Sequence, residues 1–299
     1  MSIHKPLFSI GVTTYNRKDL LKQTLLSLLD QTFTDFEVIV GNDYIKEILS
    51  ADVMGINDPR IKFVNHSQNL GELKNMNSLL NMANGKYFSW QFDDDPCAPE
   101  FLQEVHSALI KFNFPVCVFT SYSLIYGTSV HKFKKNYDLR AKLFSGKDFL
   151  KAYLSGRLKA LGCCGFYDTD YLKKIGGVQP LTDGPTALHT EYALLIRAYL
   201  LPEVAYINAP LVTSRVHENS WTSSSIDVES FKQAGINLIR SSIEVFLKAS
   251  PKNDFETNLS SILKFVLSSV VVRSIMRSKK LNIQEIKEYV SFIEKEFEP

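Results

Sequence analysis

Short apolar runs alternate with amphipathic segments along the first third of the chain. Continuous apolar runs predict strands at Leu7–Thr14, Phe36–Gly41, Ile61–Val64 and Lys86–Trp90. Apolar residues at helical spacing predict helices from Asp19, from Tyr44 to Val53, and from Asn69 to about Ala83, the last one closed by a left-handed cap at Asn84–Gly85. Four strands separated by three helices predict an α/β fold with a mostly parallel, doubly wound sheet.

The pattern continues with less regular elements and ends in helices. Further helices are predicted at Pro99–Phe112, near Gly146–Leu154, ending at Gly176–Gly177, and at Thr190–Arg197. Further strands are predicted at Pro115–Thr120, Gly162–Tyr167, Val204–Ile207 and Leu211–His217. Residues 127–160 are harder to interpret and include a basic loop at His131–Lys135. We therefore expect an α/β domain over residues 1–224 and a helical extension over residues 225–299.

Composition limits the classes of partner. The 299 residues carry a net charge of +2, which gives no indication of nucleic-acid binding. The start of the chain lacks the features of a signal peptide, and Lys264 and Arg273 interrupt its longest apolar run. Its four cysteines lack metal-ligand spacing and are expected to be reduced thiols. We expect a soluble, cytoplasmic protein, with contact to the inner face of the membrane left open.

Three consecutive aspartates, Asp93–Asp95, follow the fourth predicted strand and form what we call the acidic corner. Partly desolvated carboxylates repel one another unless a cation lies among them, and hard oxygen ligands suit Mg2+ or Mn2+. The alternative is an acidic surface turn, because Asp and Pro are common turn formers. Polar residues also follow the first two strands, and ligands of such sheets bind beyond the carboxyl ends of the strands. This convergence favours the metal site over the turn.

Four segments together resemble the inverting glycosyltransferases of family 2, which have the GT-A fold. They are FSIGVTTYNRKDLLKQTLLSLLDQTF, FEVIVGND, NLGELKNMNSLLNMANGKYFSWQFDDDPCAPEFL, and HTEYALLIRAYL followed by PLVTSRVHENS. The resemblance covers residues 7 to about 222 and rests on the order and spacing of the segments. It implies a nucleotide-binding half at about residues 1–98 and an acceptor-binding half at about residues 99–224. The donor would be a nucleotide-diphosphate sugar, most plausibly a UDP- or dTDP-sugar.

The resemblance implies a donor site on the first half of the chain. Its residues would be Thr13, Thr14, Tyr15, Arg17, Asp43, Asn69, Gly71, Lys74, Asn77, Asp93, Asp94 and Arg215. Asp43 would accept a hydrogen bond from the base, and Tyr15 would pack on the base, unless Tyr15 only packs at its strand end. The family usually has Pro at the position of Thr13 and often Arg at that of Met76. Lys74 is therefore either a substitute cation or a solvated lysine.

The resemblance also implies a metal site and a catalytic base. The metal ligands would be Asp93, Asp94, Asp95 and His217, with Asp94 at the family's metal-binding position and Phe92 at that of the first motif aspartate. His217 is alternatively an ordinary loop histidine, and Arg215 a structural ion-pair partner. Glu191 matches the base, although most members carry Asp there and an acidic residue at the position of Thr190. Its alternative role is to complement the helix dipole.

The implied reaction is a single displacement by a hydroxyl of a glycan or lipid-linked saccharide, typical of bacterial surface polysaccharide synthesis. Two alternatives stay open at this point: a catalytically silent carbohydrate-binding or scaffold protein, and a sugar nucleotidyltransferase. Cys163 and Cys164 are expected to be small core residues. The C-terminal helices have an apolar face that includes Ile262 and Val266. That face suits the catalytic domain, a second subunit or an anionic membrane surface.

Overall fold

The computed structural model describes residues 5–126, 140–184, 187–216, 228–249, 257–268 and 283–296. The strands are β1 (Phe8–Thr14), β2 (Phe36–Asn42), β3 (Ile61–Asn65), β4 (Tyr87–Phe92), β5 (Cys117–Tyr126), β6 (Ala141–Phe144), β7 (Phe166–Asp168) and β8 (Val204–Val216). The helices are α1 (Lys18–Leu29), α2 (Ala51–Met54), α3 (Glu72–Met82), α4 (Phe101–Lys111), α5 (Gly146–Leu154), α6 (Thr169–Lys174), α7 (Thr190–Arg197), α8 (Val228–Ala249), α9 (257–268) and α10 (Ile283–Glu296).

One eight-stranded sheet organises the described residues, in the order β3-β2-β1-β4-β7-β5-β8-β6. The strands β3, β2, β1 and β4 run parallel, as predicted. Strand β7 is antiparallel to both of its neighbours, β5 and β8 are parallel, and β6 is antiparallel to β8. The predicted mixed, mostly parallel sheet is therefore confirmed.

Helices cover both faces of the sheet, which explains why its strands read as continuous apolar runs. One face packs on α1, α2 and α4 through a core that includes Val38 and Val40. The other face packs on α3, α5, α6 and α7 through a core that includes Ile39. Side chains of β2 thus alternate between two buried layers.

The C-terminal helices form a further layer outside α5 and α7. Ile262 and Val266 of α9 are fully buried in this cluster, together with Tyr289 of α10 and residues of α8. The apolar face predicted here therefore packs on the α/β part of the chain as far as it is described. The rest of that face and its basic residues lie in 269–282, outside the described residues. None of the described helices is both long and apolar enough to cross a membrane.

Two local predictions were wrong, each because side-chain or backbone contacts replace a local preference. The helix predicted from Tyr44 is confined to α2, because the side chains of Asn42 and Asn65 bind the backbone of residues 44–49 instead. The cap of α3 is Ala83 in an extended conformation. Gly85 is needed for space, since a Cβ there would lie 2.5 Å from the backbone nitrogen of Ser9.

Two strand predictions also had wrong bounds. The predicted strand Gly162–Tyr167 is reduced to β7, which begins at Phe166. The two strands predicted between Val204 and His217 are one strand, β8. Pro210 lies between the two predicted strands and pairs with Ser121, where the register is irregular. Proline cannot donate a ladder hydrogen bond, so the pairing is disturbed there but β8 continues.

Candidate active site

The carboxyl ends of β1, β2 and β4 form one crevice, as their parallel pairing requires. Thr14 is paired with Asn42, and Thr13 is paired with Phe92. The backbone N–H of Asp43 donates to the carbonyl of Thr14 at 3.1 Å, which extends the β1–β2 pairing one residue further. Thr13, Thr14, Asp43 and the acidic corner therefore lie at the same edge of the sheet.

Asp93, the first residue of the acidic corner, is fully buried and held by two elements. The hydroxyl of Thr14 donates to Asp93 Oδ2 at 2.7 Å, and Nε of Arg17 donates to the same oxygen at 3.2 Å. Asp93 Oδ1 lies 2.7 Å from the second terminal nitrogen of Arg17, but it has no well-aligned hydrogen bond in the described residues. Burial raises the pKa of Asp93 to about 7, against the opposing effect of the Arg17 guanidinium.

Asp94 and Asp95 connect the corner to β8 and to Arg17. The side chain of Asp94 is 10% exposed and pairs with a terminal nitrogen of Arg17 at 3.2 Å. Its carbonyl accepts from Nε of Arg215, also at 3.2 Å. Asp95 Oδ1 accepts the backbone N–H of Arg215 at 2.8 Å, and burial raises the pKa of this carboxyl well above its usual range. Arg215 thus contacts the corner and takes part in its structure, and its role toward a donor stays a prediction.

The three aspartates do not all point to one ion position. Within the described residues, no group of three or more acidic, histidine or cysteine side chains converges as a metal site. Oxygens of Asp93 and Asp95 are engaged by protein donors, and His217 lies outside the described residues. Asp94 Oδ2 also accepts from Arg17, but the side chain of Asp94 is the most exposed of the three, at 10%. One carboxylate together with substrate phosphates and water is a ligand set that Mg2+ accepts. The residues therefore fit an ion that is shared with a bound diphosphate.

Asp43 organises the loop that precedes α3. Its Oδ1 accepts the N–H of Leu70 at 2.7 Å, and its Oδ2 accepts the N–H of Gly71 at 2.8 Å. Asn69 Oδ1 also accepts from Gly71, at 2.9 Å. Gly71 has φ 80°, in the left-handed region that favours glycine. Asp43, Asn69 and Gly71 therefore form one unit, in which each carboxylate oxygen of Asp43 retains lone pairs for a further donor.

Other predicted donor residues differ in their surroundings. Tyr15 is half exposed at the crevice and packs edge to face with Tyr44, their ring centroids 5.3 Å apart. Lys74 is exposed and has no hydrogen bond or ion pair with a described residue, whereas Met76 is fully buried. The amide of Asn77 donates to the carbonyl of Val178 at 2.8 Å and accepts from its N–H at 3.1 Å. Asn77 thus joins α3 to the segment after α6.

Glu191 lies at the start of α7, and its approach to the site depends on a glycine. A Cβ on Gly162 would lie 2.0 Å from the backbone oxygen of Glu191, so only glycine lets this helix start so close to the segment before β7. Among the described residues, the carboxylate of Glu191 has no hydrogen-bond partner. Burial and, as the second cause, the nearby charge of Glu72 together raise the pKa of Glu191 to about 7.

Glu72 is a site residue that the sequence analysis missed. It opens α3, and its Oε2 accepts the backbone N–H of Ala187 at 3.1 Å. An acidic residue in the first turn of a helix normally indicates only a favourable dipole interaction. Ala187 lies 115 residues further along the chain, so no local pattern could have indicated this contact. Thr24, whose hydroxyl donates to the carbonyl of Asp93 at 2.9 Å, was missed for the same reason.

Comparison with known proteins finds a family model that matches more than half of the chain. The family model described as "Glycosyl transferase family 2" matches residues 9–176. An uncharacterized glycosyltransferase of Haemophilus influenzae is 31% identical over 108 residues, which cover 36% of this chain and 33% of that protein. A GalNAc(5)-diNAcBac-PP-undecaprenol beta-1,3-glucosyltransferase of Campylobacter jejuni is 31% identical over 166 residues, 50% of each chain. The chain thus spans between a third and a half of the length of these two relatives.

A solved structure shows the same fold over nearly the whole chain. The crystal structure of S. aureus TarS 1-349 in complex with UDP-GlcNAc has a TM-score of 0.62 at 16% sequence identity. The match covers 96% of this chain and 90% of that one. At this level of identity the likeness concerns the fold, and it agrees with the predicted GT-A architecture with a helical C-terminal region.

Proposed function

Because the chain belongs to glycosyl transferase family 2, as its motifs predicted, we propose that it transfers a sugar from a nucleotide-diphosphate donor with inversion. The family makes it a glycosyltransferase. The observation that carries the finer proposal is the joint position of Asp43, the acidic corner and Glu191. Asp43 and the corner share the crevice at the carboxyl ends of β1, β2 and β4, and the charges of Asp95 and Glu191 act on each other.

The proposed donor is a UDP- or dTDP-sugar. Tyr15 is exposed at the crevice and available to pack on a base, and Asp43 is fixed beside it with oxygen lone pairs left to accept from the base. Lys74 is an exposed cation on the helix that follows the Asn69–Gly71 loop. The UDP-GlcNAc named in the TarS structure supports a uridine nucleotide as the first donor to test.

The diphosphate is proposed to bind next to the acidic corner and the arginines that contact it. Asp94 is the proposed ligand of a Mg2+ or Mn2+ ion shared with the diphosphate, and the predicted His217 would complete the set. Such an ion, when bound, neutralises the charge that develops on the departing nucleoside diphosphate. Arg17 and Arg215 are held against the corner by Asp93, Asp94 and the backbone, so they are positioned to attract phosphate oxygens.

Glu191 is the proposed general base. The acceptor hydroxyl attacks the anomeric carbon as the bond from that carbon to the diphosphate oxygen breaks, and the leaving diphosphate keeps the electron pair. Glu191 takes the hydroxyl proton, and a base whose pKa lies near 7 is well matched to this task at neutral pH. Because one displacement inverts the configuration, no nucleophilic side chain is required.

The proposed acceptor is a hydroxyl of a glycan or lipid-linked saccharide, in bacterial surface polysaccharide synthesis. The printed name of the Campylobacter jejuni relative, which includes an undecaprenol-linked acceptor, supports this class. Family membership favours transfer over the nucleotidyltransferase alternative. A catalytically silent protein would bind the donor without releasing nucleoside diphosphate, so a turnover assay distinguishes it from a transferase.

The test is a panel of UDP- and dTDP-sugars, assayed for binding and for release of nucleoside diphosphate with Mn2+, with Mg2+ and with EDTA. Metal-dependent release is expected, and binding without release would favour the silent alternative. Asp94→Ala is expected to abolish the metal dependence, and Glu191→Gln to lower turnover by about 10²–10⁴-fold while donor binding persists. Asp52→Asn, an exposed acidic residue on α2, is the control. Full metal-dependent activity of Asp94→Ala would contradict the ion assignment.

A further inference from the structure

Glu72 joins the nucleotide-binding half of the molecule to the helix that carries Glu191. It follows Gly71, which Asp43 and Asn69 hold in place, so the start of α3 is fixed from the nucleotide side. From there its Oε2 reaches the N–H of Ala187 at 3.1 Å, across 115 residues of sequence. A partly buried carboxylate at a helix start usually serves its own helix, whereas this one binds the backbone of another segment.

The segment that Glu72 holds determines where α7 begins. The N–H of Thr190 donates to the carbonyl of Ala187 at 3.2 Å, which makes residues 187–190 a turn that leads directly into Glu191. His189, the N-cap of α7, has φ 57° and no side-chain cap hydrogen bond. The hydrogen bond from Ala187 to Glu72 is therefore a tertiary anchor at a helix start that lacks a local side-chain cap.

The two glutamates also act on each other electrostatically. Burial raises the pKa of Glu72, opposed by the hydrogen bond from Ala187 and by the charge of Arg17. The charge of Glu72 is the second cause, after burial, of the raised pKa of Glu191. The other titratable or charged groups that act on this pair or are affected by it are Asp94, Asp95, Tyr122, Tyr153, Cys163 and Cys164.

We propose that Glu72 is a positioning residue for Glu191, which holds the turn at residues 187–190 and places a second carboxylate near the first. The proposal rests on the role proposed above for Glu191 as the base. Its two parts are separable, because the hydrogen bond needs only an acceptor oxygen, whereas the electrostatic effect needs the charge. Glu72→Gln keeps an acceptor oxygen and removes the charge, and Glu72→Ala removes both.

The first measurement is the pH profile of kcat/KM for release of nucleoside diphosphate, with the panel donor that is turned over fastest. Without the charge of Glu72, Glu191 ionises at lower pH. The acid limb of Glu72→Gln is therefore expected to move to lower pH, so that the variant gains rate relative to the parent at pH 6 and not at pH 8.5. Glu72→Ala is expected to lose on the order of 10²-fold at every pH, because the base is displaced.

The second measurement is amide hydrogen exchange over residues 187–192, which requires no turnover. Exchange is expected to be faster in Glu72→Ala than in the parent and unchanged in Glu72→Gln. The matched control is Glu104→Gln. Glu104 is also an acidic residue in the first turn of a helix with a pKa raised by burial, but α4 packs on the opposite face of the sheet from α7.

The outcomes separate this proposal from the proposed function. If Glu191→Gln keeps full turnover, Glu191 is not the base, and the exchange measurement alone then decides whether Glu72 holds the turn. Unchanged exchange in Glu72→Ala overturns the positioning part in either case. An acid limb that stays in place in Glu72→Gln, while Glu191→Gln is inactive, overturns the electrostatic part.

Discussion

The most quantitative prediction concerns Arg17, the cation that faces the buried carboxylate of Asp93. Arg17→Leu removes one hydrogen bond and one ion pair from Asp93, and Thr14 then remains as the side-chain donor to that carboxylate in the described residues. Removing one partner of a buried ion pair costs about 3–5 kcal/mol. Because the Arg17 side chain is 29% exposed, water screens part of the pair, and we expect a loss of about 2–3 kcal/mol at pH 8.

The loss should depend on pH in a defined direction. The pKa of Asp93 in the folded protein is raised from 3.8 to about 7, so between these values the folded state binds more protons than the unfolded state. Stability therefore falls as pH rises through this window. Arg17→Leu removes the charge that lowers the pKa of Asp93, so the pH window in which stability falls extends to higher pH. The difference between parent and variant is expected to be smallest at pH 5, where Asp93 is protonated in both, and largest at pH 8.

The assay is thermal unfolding of the ligand-free protein at pH 5 and pH 8. A loss of about 2–3 kcal/mol corresponds to a decrease in Tm of about 3–5 °C for a chain of this size. Arg17→Leu/Asp93→Asn should recover the part of the loss that comes from Asp93, because the fully buried carboxylate is then removed together with its partner. Lys18→Leu removes an exposed ion pair to Glu47 from the neighbouring position and should change Tm little. An equal loss at both pH values, or no recovery in the double variant, would refute the reasoning.

Two further predictions test contacts between distant segments. Gly162→Ala places a Cβ against the backbone of Glu191 and is expected to cost about 1–3 kcal/mol and to lower turnover on the order of 10²-fold, as measured by Tm and by nucleoside diphosphate release. Gly156→Ala, which meets no atom within 4 Å but has φ +73°, should cost stability without loss of turnover. Asn77→Leu leaves both backbone groups of Val178 unsatisfied and should cost about 2–4 kcal/mol in urea unfolding. A Tm or urea midpoint equal to that of the parent would contradict either expectation.

Periodicity was sufficient for the architecture of the sheet because its signals are local. Strand β1 is buried on both faces, and its continuous apolar run indicates this burial without reference to any residue distant in sequence. The segment after β2 does not follow its local pattern. Its helical pattern was overridden by Asn42 and Asn65, whose side chains bind the loop backbone between them. Neither asparagine carries a pattern that indicates this role.

The candidate site divides in the same way. The acidic corner, Asp43 and Glu191 could be proposed as site residues because motif order and strand ends are visible in the sequence. Glu72 was not found, because its partner is one backbone N–H at Ala187 on the far side of the site. Asn77 was assigned to the donor site from its motif, and its amide is engaged by Val178, a contact that spacing could not indicate. Its role toward the donor stays a prediction.

The acidic corner explains why residue type alone could not assign these roles. The three residues are consecutive and identical, but each one contacts different partners. Asp93 faces Arg17 and Thr14, so its loss should act first on stability. Asp95 accepts the backbone of β8 at Arg215, so it joins the two halves of the sheet. Asp94 pairs with Arg17 and is the most exposed of the three, so its loss should act first on the binding of the proposed diphosphate. Whether a substitution at one of the three positions affects mainly stability or mainly turnover therefore depends on its partners. These partners are residues 14, 17 and 215, which lie far from the corner in sequence.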